Sequence, residues 1–143
     1  MADTFGLIAL STPLTTLVLY ALWALALVLG VVGWRGLMVF KDGTDPATFP
    51  SGQKHGPDTY WRLNRAHANA VENLPIFGAI VVASAITGHS TGTFATLCVV
   101  VLCARIVQSV LHVSSNHTMV VNMRFASLLV QVFCLVWMGL ILL

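Results

Sequence analysis

From Phe5 to Val32 the chain carries no charged residue, and a run of that length constrains the fold more than any other feature. At about 1.5 Å per helical residue it crosses a hydrocarbon core of ~30 Å. A surface helix of a soluble domain needs a polar face, and this run has none. Three further apolar stretches follow. The composition agrees: 143 residues with 57% hydrophobic and 8% charged side chains leave too little polar surface for a soluble domain. The apolar residues come in unbroken runs rather than in alternating segments of about ten residues, which argues against a β-barrel. The expectation is an all-α membrane protein, a four-transmembrane-helix bundle forming one domain over 1–143. Its helices are predicted at about 5–36, 58–87, 93–113 and 119–143.

Between the first two spans, Pro46, Pro50 and Pro57 with Gly43, Gly52 and Gly56 forbid a long helix and mark an extramembrane loop. Gly88 to Thr93 makes a short turn without Lys or Arg, and Ser114 to His117 reads as the last connection. Every Lys and Arg falls on or toward the first and third connections. By the positive-inside rule these face the cytoplasm. The first apolar run lacks a basic leader and is too long for a signal peptide, so it reads as a retained span.

Several chemistries are disfavoured. A formal net charge of +2 without a basic run offers no nucleic-acid surface. Cys98, Cys103 and Cys134 lie in apolar runs without CxxC spacing and read as small apolar filler. His55, His67, His89, His112 and His117 include no i, i+4 pair and no completing carboxylate, so no metal site is expected. Trp23, Trp34, Trp61 and Trp137 read as interfacial belt or packing residues. Gly30, Gly33 and Gly36 have the spacing that permits close helix contact.

The stretch from Arg62 to Pro75 is the most informative. At about 100° per residue, Arg62, Arg65, Asn69, Glu72 and Asn73 share an arc of roughly 100°, giving the second helix a charged stripe. Glu72 lies two turns beyond Arg65 and is followed at once by an apolar run. Burying such a carboxylate costs several kcal/mol unless it is paired or wet. Either it pairs with Arg65 or Arg105 inside the bundle, or it belongs to a ligand site. On the third helix Arg105, Gln108, Ser109 and His112 form a second stripe, and on the fourth Arg124, Ser127 and Gln131 form a third. None of these can face lipid cheaply, so they are expected to converge on a polar cavity open toward the cytoplasmic side. Pro75 removes one backbone hydrogen bond and is expected to kink the second helix there. The excess of Arg over acid calls for an anion, since guanidinium forks suit carboxylates and phosphates. Glu72 adds a place for an ammonium and would repel a simple phosphate, so a zwitterionic peptide with additional carboxylates fits best.

Arg62, Arg65, Ala66, Asn69 and Glu72, followed by Asn73 and Pro75, resemble the second-helix motif of the membrane-associated proteins in eicosanoid and glutathione metabolism, the MAPEG family. That family includes microsomal glutathione transferases, microsomal prostaglandin E synthase and leukotriene synthase. Chain length, span count and the basic first loop extend the likeness over essentially the whole chain. The resemblance implies a homotrimer of four-helix subunits with glutathione, the co-substrate, between neighbours near the cytoplasmic face. It implies that Arg62, Arg65, Asn69 and Glu72 bind the tripeptide, that Arg105, Gln108 and His112 line the pocket, and that Arg35 reaches it from the first helix. Arg124 resembles the family's arginine beside the thiol and is the catalytic candidate. The chain departs from many members in carrying Gln108 and His112 where they have tyrosines, and in lacking a proline before Arg124.

The expected function is a membrane-embedded glutathione transferase, also a glutathione-dependent peroxidase, acting on a small hydrophobic electrophile or lipid hydroperoxide drawn from membrane lipid. A non-catalytic lipid- or glutathione-binding membrane module is the alternative, and a transporter comes third, since no internal repeat is visible. A bacterial inner membrane is the expected location.

Overall fold

The computed structural model describes residues 11–50 and 52–143. It contains four long helices: α1, Thr12–Asp42; α2, Asp58–Thr87; α3, Gly92–Ser114; and α4, Thr118–Leu142. A single 3₁₀ turn, Pro46–Thr48, interrupts the first connection. All four are long and apolar enough to cross a membrane. Their outer faces are apolar as well, with Phe40, Ile86, Met119 and Leu140 largely exposed, the pattern of a bundle solvated by lipid rather than water.

The three later helices start and stop within a residue of expectation. The first differs. The predicted start near residue 5 lies outside the described residues, while the end falls at Asp42 rather than Gly36. Neither Gly33 nor Gly36 stops the helix, because Met38 beyond them is buried against Tyr60 and rewards continuation. The stop is Gly43, at φ 65°, after which Thr44 N–H returns to the Met38 carbonyl at 3.3 Å. Of the three spaced glycines only Gly30 serves a close approach: a Cβ there would stand 3.2 Å from Leu63 Cδ2 of α2. Gly56 is required twice over, by its φ of 66° and by Tyr60 Cδ1, which a Cβ would meet at 3.0 Å. Through Pro75 α2 remains a continuous helix.

At about 1.5 Å per residue, α3 with its 23 residues just clears a ~30 Å core, whereas the 31-residue α1 and 30-residue α2 run on beyond it. α3 packs most extensively on α4, α1 on α2, and α3 also contacts α1 and α2. The main apolar core, around Tyr20, Phe77, Phe94, Cys98, Leu135 and Met138, occupies the half of the bundle away from the long first connection. A small cluster of Val31, Met38 and Tyr60 closes the opposite end. The polar side chains lie between these two apolar zones and at the end bearing the first and third connections.

Candidate functional site

The polar stripes meet only in part. Inside the bundle α3 and α4 pair with each other in part: Gln131 Nε2 donates to Gln108 Oε1 at 3.1 Å, and Gln108 Nε2 donates to the Arg124 carbonyl at 3.2 Å, while Gln131 Oε1 stays buried without a hydrogen-bond partner. Both glutamines are buried. The expected convergence of three stripes on one hollow is therefore corrected. Two amide-bearing faces close on each other because each offers a donor and an acceptor, and in a lipid-facing bundle that pairing is the cheapest way to hide them.

What stays open is a cavity of about 240 Å³ lined by Trp61, Arg62, Arg65, His112, Asn116 and Arg124. It sits between the first turns of α2, the last turn of α3, the third connection and the start of α4. Arg62 is held by Nε donating to the Val113 carbonyl at 3.0 Å and Nη2 to Thr59 Oγ1 at 3.1 Å. Arg124 clasps the C-terminal turn of α3: Nε donates to the Leu111 carbonyl at 3.1 Å, and Nη2 reaches the carbonyls of His112 and Ser115 and Asn116 Oδ1. These are the carbonyls a helix end leaves without intrahelical partners, so a guanidinium is well matched to them. His112 Nδ1 faces the Gln108 carbonyl at 3.2 Å, and a carbonyl only accepts. That nitrogen therefore carries the proton, and Nε2 accepts from Asn69 Nδ2 at 3.2 Å, fixing the imidazole at the cavity wall.

No acid lines this cavity. Among the described residues the one ion pair joins Lys54 to Asp58 at 2.7 Å, at the exposed start of α2. The alternative in which Glu72 pairs with Arg65 or Arg105 is thus not what the chain does. Glu72 is exposed on the outer face of α2, about 10 Å along the helix from Arg65, which is exposed on the same face. The charge of Glu72 acts on the buried Arg105 without forming an ion pair with it.

The family model described as the MAPEG family matches residues 13–143. The chain belongs to the MAPEG family. No curated protein matches it. Membership makes it a multi-pass membrane protein of the eicosanoid and glutathione metabolism family, and all-helical architecture with four spans agrees.

Within this MAPEG chain the expected site residues divide into three groups. Arg62, Arg65, His112 and Arg124 line the cavity, with Asn69 behind His112. Glu72 and Gln108 are off it, one exposed and the other buried in the α3–α4 seam. Arg35 and Arg105 are elsewhere. Arg35 donates from Nε to Tyr60 Oη at 2.7 Å and lies 5.3 Å from the Phe49 ring centroid, held by the first connection. Arg105 is 1% exposed, stacked 5.8 Å from the Tyr20 ring centroid, with Nε and Nη2 lacking hydrogen-bond partners. Two wall residues were not anticipated. Trp61 read as a belt residue, although its place directly before Arg62 was the available signal, and Asn116 carried none beyond membership of the third connection.

Tyr20 ties this centre to α2 by donating from Oη to the Ala70 carbonyl at 3.1 Å. Tyr20→Phe is expected to cost about 1 kcal/mol, the usual worth of a buried hydrogen bond. Thermal unfolding of the detergent-solubilised protein followed by tryptophan fluorescence measures it, and an unchanged midpoint would show that the bond contributes nothing.

Proposed function

We propose that this protein is a membrane-embedded glutathione transferase that also reduces lipid hydroperoxides with glutathione. The observation carrying this reading is the acid-free cavity of Arg62, Arg65 and Arg124, with an unpaired Glu72 further along the same helix face. Glutathione brings two carboxylates for guanidinium forks and one ammonium for a carboxylate, and its thiolate adds a third negative charge. Few small molecules offer that sequence of charges.

A cavity of about 240 Å³ is smaller than the ~300–1,000 Å³ typical of ligand pockets. The exposed face bearing Arg65 and Glu72 is where a second copy would complete it, and on the family likeness the assembly is a homotrimer. Arg35 then approaches the same ligand from a neighbouring subunit's α1. With the first and third connections toward the cytoplasm, the site opens to soluble glutathione on that side.

In the proposed reaction Arg124 stabilises the thiolate. A free thiol with pKa about 8.5 is mostly protonated at neutral pH, and a fixed cation alongside favours the ionised form. The thiol proton leaves to water, and sulfur forms a bond to an electrophilic carbon while the leaving group departs with its electron pair. With a hydroperoxide, sulfur attacks the terminal oxygen and the alkoxide leaves as alcohol; a second glutathione converts the resulting sulfenic acid to disulfide and water. Proximity and desolvation at the bilayer edge supply further acceleration.

The purified protein in detergent is expected to conjugate glutathione to an activated aromatic halide. Glutathione binding without conjugation or peroxide reduction would favour a non-catalytic binding module instead. One observation favours that second reading: the guanidinium of Arg124 already serves as the cap of α3. Flux of substrate across liposomes without thiol chemistry would point to a transporter.

A further inference from the structure

Judged on residue types, Glu72 spoke against a phosphate ligand, because a carboxylate in the site would repel it. The folded chain removes that objection, since neither Glu72 nor any other acid is among the cavity walls. Three guanidiniums face one small space without a counter-charge. Arg62 and Arg124 are anchored through Nε and Nη2 to backbone and side-chain oxygens, which holds both cations in place. Arg65 makes neither a hydrogen bond nor an ion pair with any described residue.

The depth of the cavity names the anion. His112 lies in the last turn of α3 and Asn116 in the connection that follows, and α3 is only just long enough to cross the hydrocarbon. Its end therefore stands at the level of the lipid phosphates. Trp61 on the wall has the amphipathic ring that settles at this level. Close by on α4, Met119 and Phe125 are 70% and 61% exposed and offer an apolar approach for acyl chains. The volume is below that of an ordinary ligand pocket yet ample for a phosphate diester.

We propose that the cavity of Arg62, Arg65 and Arg124 takes the phosphate of an anionic phospholipid headgroup from the surrounding leaflet, in competition with glutathione. The competition rests on the glutathione reading above; the lipid binding does not. An anionic lipid then acts as a resident placeholder that neutralises the three cations until glutathione displaces it, so the lipid composition of the leaflet sets the apparent glutathione affinity.

The test uses the full-length protein in nanodiscs of phosphatidylcholine alone or mixed with phosphatidylglycerol. Lipid retained on extraction is quantified by mass spectrometry, and glutathione affinity by calorimetry. Wild type is expected to retain phosphatidylglycerol above its bulk fraction and to bind glutathione at least about fivefold more weakly in the mixed discs, the effect of one basic residue at an anionic surface. Arg62→Gln with Arg65→Gln, in discs of identical surface charge, is expected to lose the enrichment, which separates the cavity from bulk surface potential. Absent enrichment, or enrichment unchanged in the double variant, overturns the proposal. So does displacement of glutathione by inorganic phosphate or glycerol phosphate in neutral discs as effectively as by the lipid, since the source would then be soluble. If enrichment and its loss are seen but glutathione never binds, the transferase reading fails and the lipid site stands.

Discussion

Replacing Arg124 by alanine is expected to lower kcat/KM for conjugation about 20-fold while changing the glutathione dissociation constant less than about fivefold. A fixed cation beside a thiol favours the thiolate, and because a free thiol with pKa about 8.5 is still about 3% ionised at neutral pH, removing the cation lowers the thiolate fraction by about 30-fold at most. The same change strips the C-terminal turn of α3 of its contacts to the Leu111, His112 and Ser115 carbonyls and to Asn116. Left without partners, such groups cost about 1–3 kcal/mol. Two effects must therefore be separated. Arg124→Lys keeps the charge and loses the planar fork, so it should restore most of the rate if charge acts on sulfur, and little if only the cap matters. Stopped-flow absorbance of the bound thiolate gives the second readout: it should shrink in the alanine variant and persist in the lysine variant. Alanine turnover matching wild type in a folded oligomer would remove Arg124 from the mechanism.

Glu72→Gln is expected to weaken glutathione binding about 10- to 100-fold, the worth of one charge-assisted hydrogen bond of about 1.5–3 kcal/mol. The side chain is exposed on α2 and makes no ion pair among the described residues, although its charge also acts on the buried Arg105. Glutathione acetylated on its amino group supplies the control. It should bind wild type and variant equally weakly, because the ammonium that the carboxylate would hold is gone. Calorimetry on both ligands decides the matter. Equal losses for both would mean that Glu72 supports the assembly rather than the ligand, and size-exclusion chromatography with light scattering would then show a smaller particle.

Reading helices from hydropathy succeeded where one segment suffices to decide. The start of α3 and the turn at Gly88 follow from local chemistry: Thr91 accepts from the Phe94 N–H at 3.2 Å, and Gly88 takes a φ of 71°. The end of α1 did not yield, because its decisive contact, Met38 on Tyr60, joins residues in different helices. The same distinction runs through the site. Arg62 and Arg65 were visible as neighbours on one helix face, since three residues make nearly a full turn. Their meeting with His112 and Arg124 depended on how α3 and α4 are rotated against α2. That Arg105 turns inward to Tyr20 while Arg65 stays outside was equally beyond local pattern.

The order of residues by itself determined the solvent, the number of spans, the charged stripe on α2 and the family, because hydropathy and helical period act within a single segment. Only the tertiary structure decided which arginines share a cavity, which glutamines cancel each other across the α3–α4 seam, and that Glu72 looks outward unpaired. Rotation and register between helices come from side-chain packing summed over the whole interface, and no short stretch of chain encodes that sum.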